Sequence, residues 1–249
     1  MNNHPQKTKD AKLQPIRQQI RDGHSAEHGF LHIPKTGGSG VSIYAKELAR
    51  RGYKFPVVFP HGWTFREIRR NFPKMKVSFI LRDPLDRMIS GFNSRLRQGR
   101  PTYNIVWTPA EAAAFTLFPT VRHWLDALLS EEEFHISAVN FAMRSVRHLH
   151  WNYAFYFEGV KALDEFEESF EVIGSMDSMG TFVDQLTALT AAPASIAAEL
   201  YEKRHESASK VSETLAAYSD EERARIQKAL GKEYRIYQAL LRHAATRKA

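Results

Sequence analysis

GFLHIPKTGGSGVSIYAKELARR, residues 29–51, changes its period partway along. Gly29–Ile33 is short, apolar and bounded by glycine and proline, which predicts a buried first strand. From Gly38 to Arg51, Val41, Tyr44, Ala45, Leu48 and Ala49 recur at helical spacing, and Gly52 suits a helix C-terminus. Outward from this unit, YKFPVVF (53–59) reads as a second strand, which Pro56 pushes toward a sheet edge. TFREIRRNF (64–72) reads as a short helix and KVSFIL (76–81) as a third strand. Asp83-Pro84 then opens a helix to about Arg97, since proline fits a first helical position. The order β-loop-α, β-α, β-loop-α implies an α/β fold: a P-loop-like parallel β-sheet flanked by helices.

Beyond residue 100 the pattern turns largely helical. It predicts helices within 108–147 and over 178–190, 194–204, 219–230 and 232–244. FEVIG (170–174) is the one further strand. Residues 1–28 read as a flexible polar segment with a short helix around Leu13–Arg21, and 29–249 as a single α/β domain. Ligands of parallel sheets bind at the carboxyl ends of the strands. The loop after Ile33, the Pro60-His61-Gly62 turn and Arg82 all fall at such ends and are expected to converge.

The chain has 249 residues, a net charge of +7 and a pI near 9.5, so its surface favours anionic ligands. The basic excess is spread along the sequence and forms no arginine-rich arm, so nucleic acid is not the expected partner. With no cysteine, disulfides, thiolate catalysis and Cys-ligated zinc are excluded. No Asp/Glu/His cluster has convincing metal-ligand spacing. The first residues lack the apolar core of a signal peptide, and no stretch is long and apolar enough for a transmembrane segment. A soluble, cytoplasmic protein is expected, with no oligomeric state readable.

Pro34-Lys35-Thr36-Gly37-Gly38-Ser39-Gly40 has the makings of an anion site. Backbone N–H groups of a glycine-rich turn form a concavity, and a helix start adds partial positive charge. Lys35 contributes a point charge, and Thr36 and Ser39 contribute hydroxyls. The loop is not a Walker A motif, whose lysine follows the glycines, nor a dinucleotide fingerprint, since Ile43 stands where the third glycine belongs. The bland alternative is a tight strand-to-helix turn with a solvated lysine. A second stretch, Phe79-Ile-Leu-Arg82-Asp-Pro84-Leu-Asp-Arg87-Met-Ile-Ser90, sends Arg82 off a strand end and places Arg87 and Ser90 on one helix face. Arginine's planar fork suits phosphate oxygens. Ion pairs of Arg82 or Arg87 with Asp83 or Asp86 are the structural alternative.

Together these stretches resemble the sulfotransferases that use 3′-phosphoadenosine 5′-phosphosulfate (PAPS), in the carbohydrate branch related to heparan sulfate 2-O-sulfotransferases. His32-Ile-Pro-Lys-Thr-Gly-Gly-Ser-Gly40 is similar to that family's phosphosulfate loop, and Leu81 to Ser90 is similar to its LRDPxxRxxS element. The likeness covers residues 30 to 95. It implies that Lys35, Thr36, Gly37, Gly38, Ser39 and Gly40 hold the 5′-phosphosulfate and that Arg82 and Ser90 hold the 3′-phosphate. Gly40 departs from the serine or threonine common there, which removes a hydroxyl contact: either donor binding is weaker or Ser39 serves alone.

Sulfuryl transfer needs a base for the acceptor hydroxyl and a cation beside the oxygen that leaves with the phosphate. Lys35 is the expected cation. His61, in the turn after the second strand, is the expected base, with Glu67 as the carboxylate alternative; His32 reads as packing. Arg147-His148-Leu-His150-Trp151-Asn152-Tyr153 is dense in polar rings, and His148, His150 and Trp151 are candidate acceptor-binding residues by the same resemblance. The family often has a loop near Lys203–Lys210 that closes over the nucleotide, but His205 stands where asparagine is usual. A solvated surface loop is therefore the favoured reading, and approach of Arg204 and Lys210 to the 3′-phosphate the alternative. The expected activity is metal-independent transfer from PAPS, giving 3′-phosphoadenosine 5′-phosphate (PAP), to a hydroxyl of a carbohydrate or glycoconjugate. The alternatives are a kinase-like phosphotransferase and a non-catalytic module binding PAP or an anionic glycan. The acceptor itself is not legible.

Overall fold

A computed structural model describes residues 4–201 and 209–246. The first part of the chain forms α1 (His4–Arg21), β1 (Ser25–Leu31), α2 (Gly38–Arg50), β2 (Pro56–Phe59), α3 (Phe65–Asn71) and β3 (Lys76–Leu81). A helical stretch follows: α4 (Pro84–Leu96), α5 (Pro109–Leu117), α6 (Val121–Leu129), α7 (Glu133–Ser145), α8 (Arg147–His150), α9 (Tyr153–Phe157) and α10 (Val160–Phe166). The remainder is β4 (Phe170–Ser175), α11 (Met179–Ala188), α12 (Ala194–Tyr201), α13 (Ser209–Leu215), α14 (Asp220–Ala229) and α15 (Gly231–Thr246).

The fold is α/β, with one four-stranded, all-parallel sheet in the order β2-β1-β3-β4. Local chemistry sets several helix starts. Thr64, Thr108 and Ser219 form capping boxes with Glu67, Glu111 and Glu222. Asp83 accepts hydrogen bonds from Leu85 and Asp86 N–H, with Pro84 at the first helical position of α4. Pro56 sits on β2, an edge strand, as its missing N–H requires.

The described residues group into two compact units. Residues 4–81, 164–201 and 243–246 form one, and 82–163 with 209–242 the other. The first holds the sheet. Side chains alternate across the strands, so Phe30 and Ile80 pack on Val41, Tyr44 and Leu48 of α2 and on Phe182 and Leu186 of α11. On the opposite face, Phe65 of α3 meets Phe79, Phe166 and Phe170, with ring centroids 5.0–6.3 Å apart. Order reverses between β1 and β3: β2 lies on one side of β1, while β3 and β4 lie on the other. Such a reversal opens a crevice at the strands' carboxyl ends.

The polar segment predicted over residues 1–28 carries, over its described part, a longer helix than Leu13–Arg21 and also the start of β1. Leu13 and Ile16 of α1 are buried. The Gln19 carboxamide donates to Val58 O (2.9 Å) and accepts from Val58 N–H (2.8 Å), taking the place of a further strand at the β2 edge. β1 begins at Ser25 because Ser25 N–H donates to Phe55 O at 2.9 Å. Its first residues are polar and only partly covered, so no apolar run announces them.

The second unit is helical. Phe92 of α4, Phe115 of α5, Trp124 of α6 and Ala142 of α7 lie in one buried cluster with Tyr218, Ile226 and Leu230.

Candidate active site

The Pro34–Gly40 loop joins β1 to α2 at the carboxyl edge of the sheet, as the sequence reading has it. Lys35 and Gly37 have φ of 67° and 83°, while Thr36 between them does not have positive φ. Such alternation turns successive N–H groups toward one concavity. For a lysine, positive φ is strained, and strain of this kind gathers at functional sites. Gly37 is the N-cap of α2 and offers no side chain to satisfy the first N–H groups of the helix. At α4 the equivalent position is filled by the Asp83 carboxylate, which accepts from two backbone N–H groups. The α2 start therefore suits an added anion and the α4 start does not.

Two of the loop's glycines also have reasons within the fold. A Cβ on Gly37 would stand 2.5 Å from Met179 Cε and 3.0 Å from Met176 Sδ, and one on Gly38 would fall inside the His32 ring. The Thr36 hydroxyl is buried and donates to Ile33 O at 2.9 Å, and Gly40 N–H donates to Gly37 O at 2.9 Å. These two donors close the turn. What Thr36 can offer a ligand is its backbone N–H, while Gly40 N–H is already taken up within the turn. Ser39 is exposed and Lys35 half-buried.

His61 is positioned by the same loop. Its Nδ1 lies 2.7 Å from His32 O. A carbonyl only accepts, so Nδ1 carries the proton, and in the neutral ring Nε2 keeps the lone pair. Burial pushes the His61 pKa below its ordinary value and the nearby Lys35 charge pushes the same way, against the hydrogen bond to His32 O. The ring is thus held neutral, in the tautomer a base needs. His32 lies edge-on to His61, with centroids 4.3 Å apart. Burial first, then His61 and Lys35, lower its pKa to about 3, so it stays uncharged. Its part is to fill the space beside Gly38 and to present its carbonyl to His61.

Glu67, the carboxylate alternative, is already committed. It closes the Thr64 capping box and accepts from Lys12 Nζ at 2.7 and 2.8 Å. Burial alone would raise its pKa, but the hydrogen bonds from Lys12 and Thr64 outweigh it and the net shift is down. A carboxylate so stabilised is a weak base.

Arg82 and Ser90 belong to the second unit, and both are half-buried. The Tyr153 hydroxyl clamps the Arg82 backbone: it accepts from Arg82 N–H at 2.9 Å and donates to Arg82 O at 2.7 Å. Tyr153 is fully buried, and its own N–H donates to Glu233 Oε2 at 2.7 Å. Burial lowers the Arg82 pKa, while Asp86, Tyr153 and Asp83 work against that and Arg87 adds to it. A partly desolvated guanidinium gains from an anionic ligand.

Arg87 is structural, though not through Asp83 or Asp86. It is fully buried, donates to Trp151 O at 3.0 Å and lies 3.9 Å from Glu233 Oε2. Tyr153 stood out in sequence only as one of a run of polar rings; its clamp on Arg82 and its link to Glu233 were not legible, because these partners lie 71 and 80 residues away along the chain.

Of the acceptor candidates, His148 is buried, with its Cβ against Gly91 of α4. His150 is exposed and Trp151 half-buried. Of the Lys203–Lys210 loop, residues 203–208 lie outside the described residues. Among the described residues, no group of three or more His, Asp or Glu side chains is placed to hold a metal ion.

The structure thus brings Lys35, His32 and His61 together in one unit and sets Arg82 on a Tyr153–Glu233–Arg87 support in the other. Comparison with protein-family models, with curated protein sequences and with solved structures gives no match.

Proposed function

We propose that the chain is a sulfotransferase that moves the sulfuryl group of PAPS to a hydroxyl of a carbohydrate or glycoconjugate. The observation that carries the reading is the pairing at one sheet edge of an uncapped, strained, lysine-bearing anion loop with an imidazole locked in the basic tautomer. PAPS would supply an activated sulfuryl group, whose S–O bond to the 5′-phosphate breaks as the acceptor oxygen bonds to sulfur. His61 Nε2 takes the acceptor hydroxyl proton. Lys35, with the N–H groups at the start of α2, holds the charge that develops on the departing phosphate oxygen. The roles of Arg82 and Ser90 at the 3′-phosphate come from the sequence likeness, and the Tyr153 clamp on Arg82 suits them. Glycan is the favoured acceptor class on the same likeness.

Transfer of radiolabelled sulfate from PAPS to a glycan panel tests the reaction. Lys35→Ala should lower kcat by roughly 10²–10³-fold, and His61→Ala by roughly 10²–10⁴-fold. Full turnover by Lys35→Ala would overturn the mechanism; full turnover by His61→Ala would remove only the base assignment. Thermal shift separates the donors. PAP should stabilise the chain without magnesium, whereas stabilisation by ATP with magnesium alone would favour phosphoryl transfer. PAP binding with no transfer to any acceptor would favour a binding module.

A further inference from the structure

The segment from Arg97 to Val106, between α4 and α5, is held from beneath and apolar on top. Arg95 is buried and forms a two-pronged pair with Glu111, Nε to Oε1 at 2.7 Å and Nη2 to Oε2 at 2.8 Å. The same guanidinium donates to Ile105 O at 3.3 Å and to Val106 O at 3.4 Å. Ile105 N–H donates to Gln98 O at 3.0 Å, and Trp107 Nε1 donates back to Arg95 O at 2.7 Å. A buried ion pair thus serves as a bracket whose outer hydrogen bonds fix a loop.

What the bracket presents is unusual for a face turned to water. Tyr103, Ile105 and Val106 are 36, 44 and 70 % exposed, within four consecutive residues. Scattered surface aliphatics need no explanation, but a fixed group of them does. The carbonyls of Ile105 and Val106 already have their donor in Arg95, so these two residues can leave water without stranding them. Arg97 and Arg100 flank the tip and are exposed. No acidic residue stands between Asp86 and Glu111, and Glu111 is buried. Thr102 and Asn104 share the exposed tip, and the Tyr103 ring lies back on Gly99 with its hydroxyl 3.3 Å from Ser94 Oγ. Ile105 and Val106, with Arg97 and Arg100 nearby and no carboxylate in the intervening sequence, complement a surface that is anionic outside and apolar just within. A purely polar polyanion would make no use of Ile105 and Val106.

We infer that the Arg97–Val106 loop is a docking element for an anionic lipid bilayer surface, with Ile105 and Val106 entering the interface and Arg97 and Arg100 meeting the headgroups. The chain's net charge of +7 favours the encounter. The inference stands apart from the proposed reaction and concerns attachment to a surface, not crossing it.

Co-sedimentation of the full chain with vesicles tests it, using phosphatidylcholine alone and phosphatidylcholine mixed with phosphatidylglycerol. Binding should be confined to the mixed vesicles and should weaken as salt rises. Val106→Asp should lower the partition coefficient by about tenfold, and Arg100→Gln by about fivefold. Both positions are exposed, so far-ultraviolet circular dichroism and melting temperature should be unchanged. Binding to neither vesicle, equal binding to both, or full binding by Val106→Asp would overturn the inference. So would light scattering that showed a dimer abolished by Val106→Asp, since the loop would then be a contact between copies of the chain.

Discussion

At the scale of single residues, Lys35 serves two purposes that can be pulled apart. In the proposed reaction its charge steadies the departing oxygen, whereas its φ of 67° belongs to the turn. Glycine adopts that φ without penalty and alanine does not. Lys35→Gly should therefore be more stable than Lys35→Ala by about 1 kcal/mol in urea unfolding, while both lose transfer. Equal stability would mean the backbone there is relaxed. His32 predicts an acid-labile fold. Its pKa falls to about 3 in the native state from an ordinary 6.5, so the unfolded chain binds the extra proton between those values. The stability of the neutral, partly buried ring is complete above pH 6.5 and is lost as pH falls toward 3. At its steepest the loss from this one ring is at most about 1.4 kcal/mol per pH unit. His32→Asn should flatten stability against pH over that window, and an unchanged slope would place the acid sensitivity elsewhere. His61 carries the matching kinetic prediction. Burial foremost, then Lys35, lowers its pKa, and a base works unprotonated, so the acid limb of kcat/KM should lie below pH 6.5. An acid limb above that value would point to a different base. The local pattern of residues 32–40 was enough to place the loop, since glycine, lysine and proline act through their own backbone and charge. The ring of His32 against Gly38, and its carbonyl against His61, depend on where β1, α2 and the 60–62 turn meet. No spacing rule encodes that meeting.

At the scale of elements, the Glu111 side chain ties three helices of the helical unit together. It closes the capping box of α5, pairs with Arg95 of α4 and accepts from the Arg147 N–H at the start of α8 at 3.2 Å. Burial alone would raise its pKa, but the bonds from Arg95, Thr108 and Arg147 outweigh this and it remains an anion. Glu111→Ala strands a buried guanidinium and should cost roughly 3–5 kcal/mol. Chemical denaturation measures this, and a cost below about 1 kcal/mol would show that water repairs the site. The sequence signals for elements were strong wherever chemistry is local. Asp83-Pro84 marked the start of α4, while the Thr-x-x-Glu boxes that open α3 and α5 are equally local and went unread. Signals failed for short helices such as α8 and α9, four and five residues long, which hold less than two turns of any period. They also failed for the reach of α1, whose anchoring depends on Gln19 finding the edge of β2.

At the scale of the whole molecule, the β-α alternation of the first hundred residues was sufficient to read an all-parallel sheet. The two-unit grouping was not, because the chain leaves the sheet-bearing unit after Leu81 and returns only at Asp164. That excursion has a consequence for synthesis. β4 pairs with β3, yet residues 82–169 must emerge between them. At ribosomal speeds this interval is roughly 4–18 s. Throughout it, the Phe79-Ile80-Leu81 border of a nascent sheet has no lateral neighbour to receive its amides, and it is apolar on both sides. The growing polypeptide should accordingly recruit ribosome-associated holdases while ribosome-bound. Stalled chains ending before Phe170 should be captured by them more strongly than chains released after Ser175.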